Sequence, residues 1–321
     1  MADSATTAAA GGTAKTRSAR NRTLSCTTEE LERLQCCLRQ ADPADSLADL
    51  VDSVINADSF DALGALPSNF ADLVILDPPY NMSKNYNGSH FYEKHADEYT
   101  AWFERLVLQL KHCLRPTASL YVCAEWRTSI LIAPVLARHF ELCNRITWER
   151  EKGRGARANW KNASEDIWFC TMSNDYFFDT EAVKQKRRVI APYKTQAGQP
   201  KDWEDGSDGR YRLTFPSNLW TDITVPFWSM PENTDHPTQK PEKLIAKLIL
   251  ASSRPDDIIL DPFLGSGTSA VVARKLGRRF IGIEQNLEYC CWSLKRLENA
   301  ARGTVIQGYE DGVFWERNSG R

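Results

Sequence analysis

Short runs of aliphatic and β-branched residues alternate along this chain with longer stretches whose apolar positions recur every three or four residues. The first runs, 53–58 (SVINAD) and 72–76 (DLVIL), are short and β-branched enough to predict buried strands. Between them SFDALGALPSNF predicts a short helix ended by Pro67. From Glu98 to Leu114, Trp102, Phe103, Leu106, Val107, Leu110, Cys113 and Leu114 fall at helical spacing. A strand over 118–124, a helix over 130–140 and a strand over 142–148 continue the alternation. Residues 180–238 break it, being polar and basic, rich in Gly, Pro, Asp and Trp, with no sustained period. The pattern resumes with a helix over 241–252, a strand over 257–261 and a glycine turn. A helix over 268–276, a strand over 279–283 and a long helix over 286–301 follow. This predicts an α/β fold, doubly wound about a mostly parallel sheet and interrupted by an irregular module. Upstream, Thr28-Glu29-Glu30 reads as a capped helix start, and residues 1–27 as a disordered tail. The expected divisions are therefore 1–27, 28–179, 180–235 and 236–321.

A length of 321 residues accommodates one large α/β domain with a smaller inserted module. No run of about 18 apolar residues occurs, so no membrane span is expected. The first residues lack the apolar segment of a secretory signal. The nine cysteines include no C-x-x-C pair, and the doublets Cys36–Cys37 and Cys290–Cys291 suit a shared tetrahedral metal poorly. Free thiols in a reducing, cytoplasmic compartment and no bound metal are the expectation. Because the net charge is only −2, any surface for a polyanion must come from local clusters. Two exist: Arg150, Lys152, Arg154, Arg157 and Lys161, and then Lys184, Lys186, Arg187 and Arg188.

Two turns carry chemistry, each at the carboxyl end of a predicted strand, where open α/β sheets bind ligands. Asp77-Pro78-Pro79-Tyr80 follows DLVIL, and Asp261-Pro262-Phe263-Leu264-Gly265-Ser266-Gly267-Thr268 follows DIIL, with Glu284 closing the next strand. A strand running into Gly-x-Gly and a helix brings backbone N–H groups close to a ligand, and an acid on the following strand can accept ribose hydroxyls. Nicotinamide enzymes use the same logic, but the third glycine of their fingerprint is Ala270 here. In the first turn, a carboxylate and stiffened proline carbonyls can hold both protons of an exocyclic amine. That pulls the nitrogen toward tetrahedral geometry and exposes its lone pair, while Tyr80 offers a ring for a base to stack on.

Together and in this order, the two motifs resemble those of the DNA amino-methyltransferases. That family has an (Asp/Asn/Ser)-Pro-Pro-(Tyr/Phe/Trp) motif and an Asp-x-Phe-x-Gly-x-Gly motif. With the catalytic motif first, the chain is similar to the β group, in which a target-recognition region lies between the two. His236-Pro237-Thr238-Gln239-Lys240-Pro241 and the Asn162–Glu165 pair match further family segments. The resemblance implies a Rossmann-like methyltransferase sheet, S-adenosylmethionine as cofactor and double-stranded DNA as substrate, the target base being flipped out. It places Asp77, Pro78, Pro79 and Tyr80 at the target amine. It places Asp58, Asp77, Asp261, Phe263, Gly265, Ser266, Gly267, Thr268 and Glu284 around the cofactor, with Thr238 and Lys240 reaching the methionine carboxylate. Asp in the first motif position resembles the adenine-N6 members, whereas Ser is commoner among cytosine-N4 members. Cytosine C5 is disfavoured because no Pro-Cys nucleophile occurs.

The module 180–235 is then the candidate target-recognition region, and the loop 81–96 the element that closes over the flipped base. Arg154, Arg157 and Lys161 are expected on phosphates, Arg210 and Arg212 on base edges. A homodimer suits a palindromic site, and a cognate restriction endonuclease is a compatible partner. Cytosine-N4 methylation, an RNA substrate, a non-catalytic DNA-binding subunit and a nicotinamide oxidoreductase are the alternatives.

Overall fold

The computed structural model describes residues 18–86, 89–150, 159–189, 193–206 and 209–316. The first half runs α1 (Thr28–Gln35), α2 (Leu47–Leu50), β1 (Ser53–Asn56), α3 (Ser59–Ala65) and β2 (Ala71–Leu76). A hairpin of β3 (Lys84–Tyr86) and β4 (Ser89–Phe91) follows. Next come α4 (Ala96–Cys113), β5 (Leu114–Ala124), α5 (Trp126–His139), β6 (Glu141–Glu149) and β7 (Ser164–Thr171). The expected irregular module carries β8 (Gln185–Arg188), β9 (Glu204–Gly206), β10 (Gly209–Thr214) and β11 (Leu219–Trp220). The chain ends with α6 (Glu242–Ser252), β12 (Ile258–Asp261), α7 (Thr268–Lys275), β13 (Arg279–Glu284), α8 (Leu287–Ala300), β14 (Tyr309–Glu310) and β15 (Val313–Trp315).

One sheet of eight strands in the order β1-β13-β12-β2-β5-β7-β6-β11 forms the centre. Its first five strands are mutually parallel, and β7 runs antiparallel between β5 and β6. The continuous apolar runs of β2 and β12 follow from helices covering both faces. Leu73 and Ile75 face one core, shared with α6 and α7, while Val74 and Leu76 face the other, shared with α4 and α5. Each such side chain, nearly free of solvent, contributes on the order of 1.5–3 kcal/mol of burial.

β12 and β2 are neighbours, pairing Ile259 with Leu73 and Leu260 with Val74, yet nearly the whole catalytic sequence separates them. The chain leaves β2 toward one edge of the sheet and returns at β12 on the other side. Their carboxyl ends therefore flank a topological switch point, the ordinary ligand crevice of such sheets. Asp77 and the Asp261 turn both sit there, and β13 brings Glu284 to the same edge beside Asn56 of β1.

The structure departs from the sequence expectations at several points. The segment 180–235 is not irregular throughout, because β8, β10 and β9 form a second sheet in the order β14-β15-β8-β10-β9. That sheet draws in the carboxyl-terminal residues, with β15 parallel to β8, so the expected division at 235 is crossed by the chain end. Of the expected tail, residues 18–27 are described and tethered: Arg22 N donates to Trp228 O, Leu24 N to Asn233 O, and Asn233 Nδ2 to Thr23 Oγ1. The helix α1 begins one residue earlier than a Thr28 cap requires. Thr27 is the cap, accepting Glu30 N while Glu30 Oε2 accepts Thr27 N at 2.8 Å.

Among the described residues no helix is long and apolar enough to cross a membrane. All nine cysteines are free thiols.

Candidate active site

The turn after β2 is fixed on three sides. Tyr99 of α4 donates from its hydroxyl to Pro79 O at 2.8 Å. Asn81 N donates to Thr128 Oγ1 at 3.0 Å, and Thr128 itself is held by Glu125, the cap of α5. Tyr80 donates its hydroxyl to Asp77 Oδ1 at 2.9 Å. Burial, and then the Asp77 charge, push the Tyr80 phenol well above its ordinary range, so it stays a donor. Its ring is only 7% exposed, with the Lys240 ammonium 5.5 Å from the ring centre.

The second turn is built by its own side chains. The Asp261 carboxylate accepts Phe263 N at 3.0 Å and the Ser269 hydroxyl, and burial pushes its carboxyl up to about 7. Gly265 and Gly267 have φ of 55° and 86°, which most side chains avoid. A Cβ at Gly267 would also lie 2.7 Å from Ser293, so α8 leaves room for nothing larger. Glu284 accepts Gly265 N at 2.9 Å and Asn286 N at 2.8 Å, and burial raises its carboxyl above the ordinary value. Thr268 Oγ1 donates to Lys240 O at 3.1 Å, joining this turn to the 236–241 segment.

Both turns open onto one cavity, lined by Asp77, Tyr80, His236, Thr238, Phe263 and Glu284 among others. Ser266, Thr268, Lys240 and Asp261 line its continuation. The fold thus brings together residues of the expected site as far apart in the chain as Asp77 and Glu284. Two expected residues are not in this lining: Gly267 packs against Ser293 of α8, and Asp58 caps α3, its carboxylate accepting Phe60 N at 2.8 Å, and is exposed. Lys240 also departs from expectation. It is 6% exposed and stands 2.6 Å from Asp77 Oδ2, 3.1 Å from the Tyr80 hydroxyl and 3.4 Å from Glu165 Oε2. Its ammonium therefore meets the catalytic-motif carboxylate.

His236, Asn286 and Tyr289 also line the wall, though no motif role in the sequence marks them individually. The His236 ring lies against Gly265 and edge-on to Tyr289, at 4.6 Å between ring centres. Burial pushes His236 down to about 3, so it is neutral at physiological pH. The spacing of Tyr289, five residues past the strand-end acid on the first turn of a helix, was the available signal.

The candidate DNA residues divide. Arg154 and Arg157 lie outside the described residues, while Lys161 is exposed just beyond them. Arg210 and Arg212 are on β10, paired with Asp205 at 3.4 Å and Asp202 at 3.5 Å. Arg210 also lies over the Trp203 ring at 5.0 Å. The loop 81–96 is a short hairpin whose Phe91 packs edge-on against Tyr99 and Trp102, leaving Tyr92 68% exposed.

Comparison with known proteins agrees with this geometry. The model of the N6/N4 methyltransferase family, described as a DNA methylase, matches residues 71–295. The chain is 32% identical over 256 residues to DNA adenine methyltransferase YhdJ of Escherichia coli (strain K12), covering 78% of this chain and 83% of that protein. Among solved structures it resembles the PvuII DNA methyltransferase, a cytosine-N4-specific enzyme. The TM-score is 0.56 at 20% identity, over 78% of this chain and 90% of that one. It also resembles M1.HpyAVI in complex with S-adenosylmethionine, with a TM-score of 0.51 at 22% identity over 76% and 98% of the two chains. The family model spans the two strand-end turns and everything between them, and on that match the chain belongs to the N6/N4 family of DNA methyltransferases.

Proposed function

We propose that this DNA methyltransferase transfers the methyl group of S-adenosylmethionine to the exocyclic N6 of adenine in double-stranded DNA, acting on a flipped-out base. The observation that carries this reading is the single cavity shared by Asp77 and Tyr80 with Phe263, Gly265 and Glu284. The first motif residue is Asp, and the 32% identical relative from Escherichia coli is described as an adenine methyltransferase.

The residues present fit the cofactor. Ser266 Oγ is buried and has no hydrogen-bond partner among the described residues, a donor waiting for an oxygen. The Glu284 carboxylate accepts backbone N–H groups of Gly265, Asn286 and Gln285 and, with roughly four lone-pair directions, keeps one for a ribose hydroxyl. The wall beside Gly265 is a neutral His236, which adds no repulsion to a sulfonium cation. When bound, S-adenosylmethionine supplies an electrophilic methyl carbon.

The protein's own part is to orient and polarise the amine. A carboxylate has roughly four lone-pair directions, and Tyr80 and Lys240 occupy two at Asp77. The others accept an N–H of the target amine, with the Pro78 carbonyl taking its second proton. On methylation the amine nitrogen would give up one proton, and the Asp77 carboxylate is placed to accept it along that bond. Flipping costs a few kcal/mol of stacking and pairing. Phosphate contacts from the basic residues of the second sheet, among them Lys186 beside Tyr211 and Trp315, contribute to the binding that offsets it.

Digesting duplex DNA after incubation with the enzyme and S-adenosylmethionine, and resolving its nucleosides by mass spectrometry, tests the proposal. N6-methyladenine is the expected product. N4-methylcytosine, or methylation confined to RNA, overturns it. For the cofactor, Glu284→Ala is expected to weaken binding of S-adenosylhomocysteine by about 1–3 kcal/mol, the scale of lost charged hydrogen bonds. Unchanged affinity by calorimetry removes Glu284 from the ribose.

A further inference from the structure

Lys240 is a buried cation at the centre of the catalytic turn. Its Nζ lies 2.6 Å from Asp77 Oδ2, 3.1 Å from the Tyr80 hydroxyl and 3.4 Å from Glu165 Oε2. Glu165, 2% exposed at the start of β7, also holds Arg150 and stands 3.4 Å from the Tyr80 hydroxyl. So two carboxylates from different strands converge on one ammonium. From β3, Lys84 adds positive charge to the same site; from β12, Asp261 adds a carboxyl; and His236 faces Asp77 as a neutral ring.

We infer that Lys240 is a positioning residue for methyl transfer. It fixes the Asp77 carboxylate so that its remaining lone pairs face the target amine, and Glu165 fixes Lys240. The inference deepens the proposed function and rests on Asp77 being the amine acceptor. The geometry favours it over a direct contact between Lys240 and the cofactor carboxylate. The ammonium donates to Asp77 Oδ2 and to the Tyr80 hydroxyl and stands in ion-pair range of Glu165, so its charge and two of its three N–H donors are already engaged. A carboxylate held at one oxygen by Tyr80 alone could rotate about its Cβ–Cγ bond. With Lys240 on the other oxygen, both ends are tied. In catalysis by orientation, a loss of that alignment appears in the chemical step rather than in ground-state binding.

Removing the ammonium also leaves two carboxylates without their shared partner, which endangers the fold. The test therefore uses Lys240→Met together with Lys240→Met/Glu165→Gln, the second compared with Glu165→Gln alone. Thermal melting establishes which variants are folded. In folded variants kcat is expected to fall by roughly ten- to hundredfold, the range for losing a hydrogen bond to a charged group. Binding of S-adenosylhomocysteine and the KM for S-adenosylmethionine should stay within about twofold, as expected when only an interaction in the transition state is lost. Unchanged kcat in a folded variant overturns the inference. So does a loss that appears as weakened cofactor binding with kcat retained, which instead places Lys240 on the methionine carboxylate. Asp77→Ala is assayed in parallel. If it too retains turnover, the amine-acceptor reading fails; if it is inactive while the Lys240 variants are normal, only the role of Lys240 fails.

Discussion

Asp77→Ala is expected to lower kcat by at least about a hundredfold, the scale for removing one preorganised electrostatic stabiliser. The size of the effect follows from what the carboxylate has to do. An adenine amine is a weak nucleophile because its lone pair is delocalised into the ring, and only acceptors on its N–H groups make that pair available. Asp77 sits at the carboxyl end of β2, braced by Tyr80 at 2.9 Å and Lys240 at 2.6 Å, and no other carboxylate of the catalytic turn can take its place. The contacts proposed for the cofactor, at Gly265, Ser266 and Glu284, come from other strands than Asp77, so affinity for S-adenosylhomocysteine should change much less than kcat. Single-turnover methylation, with the cofactor affinity measured separately by calorimetry, checks both parts. Near-normal turnover would remove Asp77 from the reaction. The substitution also leaves Lys240 without one of its two carboxylates, so some loss of stability accompanies it, and the measurement belongs at a temperature well below melting.

Much of this arrangement is legible in the sequence because the strands that build it are buried on both faces. DLVIL and DIIL have few readings other than central strands, and each runs directly into its functional turn. Where the sequence misleads, the cause is tertiary. β7 escapes because it begins Ser164-Glu165-Asp166, and two acids opening a buried strand look like a loop. Glu165 is tolerated there only because Arg150 and Lys240 neutralise it. The second sheet escapes because β8 reads Gln-Lys-Arg-Arg, with no apolar alternation; its partners, from β10 and from the distant chain end at β15, make it a strand. Lys240 has the opposite difficulty. Before a proline and a helix it reads as a surface lysine or as a side chain reaching outward to a ligand. Nothing local announces that its partners come from positions 77 and 165. Spacing along one segment reports which face a residue occupies, but pairing across segments is a property of the fold.

The same blindness applies to α6, and its consequence is a prediction about stability. Every residue from Glu242 to Ser252 is buried, including Lys243 and Lys247, because the helix lies between the central sheet and the second one. Lys247 Nζ is 2.9 Å from both oxygens of Asp222, and Lys243 Nζ is 2.7 Å from Asp222 Oδ2. The Lys247 ammonium also lies 4.9 Å from the centre of the Trp220 ring. Burial pushes Lys247 down to about 8, yet the Asp222 charge opposes this and the lysine stays protonated at neutral pH. Burial by itself would raise the Asp222 carboxyl, but Lys247 and Lys243 hold it below its ordinary value of 3.8. Asp222→Ala removes the counter-charge from two buried ammonium groups, although Lys243 keeps its bonds to the backbone oxygens of Asp222 and Trp315, and the expected cost is about 3–5 kcal/mol of unfolding free energy, as for other buried pairs broken on one side. Urea denaturation measures it directly. Because the folded carboxyl titrates below the unfolded one, its contribution is complete above pH 3.8 and is lost as pH falls through the folded value. The wild-type advantage over Asp222→Ala should therefore be present at neutral pH, narrow in acid as Asp222 takes up its proton, and narrow again as pH rises through about 8 and Lys247 loses its own. An advantage that is absent at pH 7, or that shows no acid dependence, would mean that the two lysines find other partners or water when Asp222 is gone.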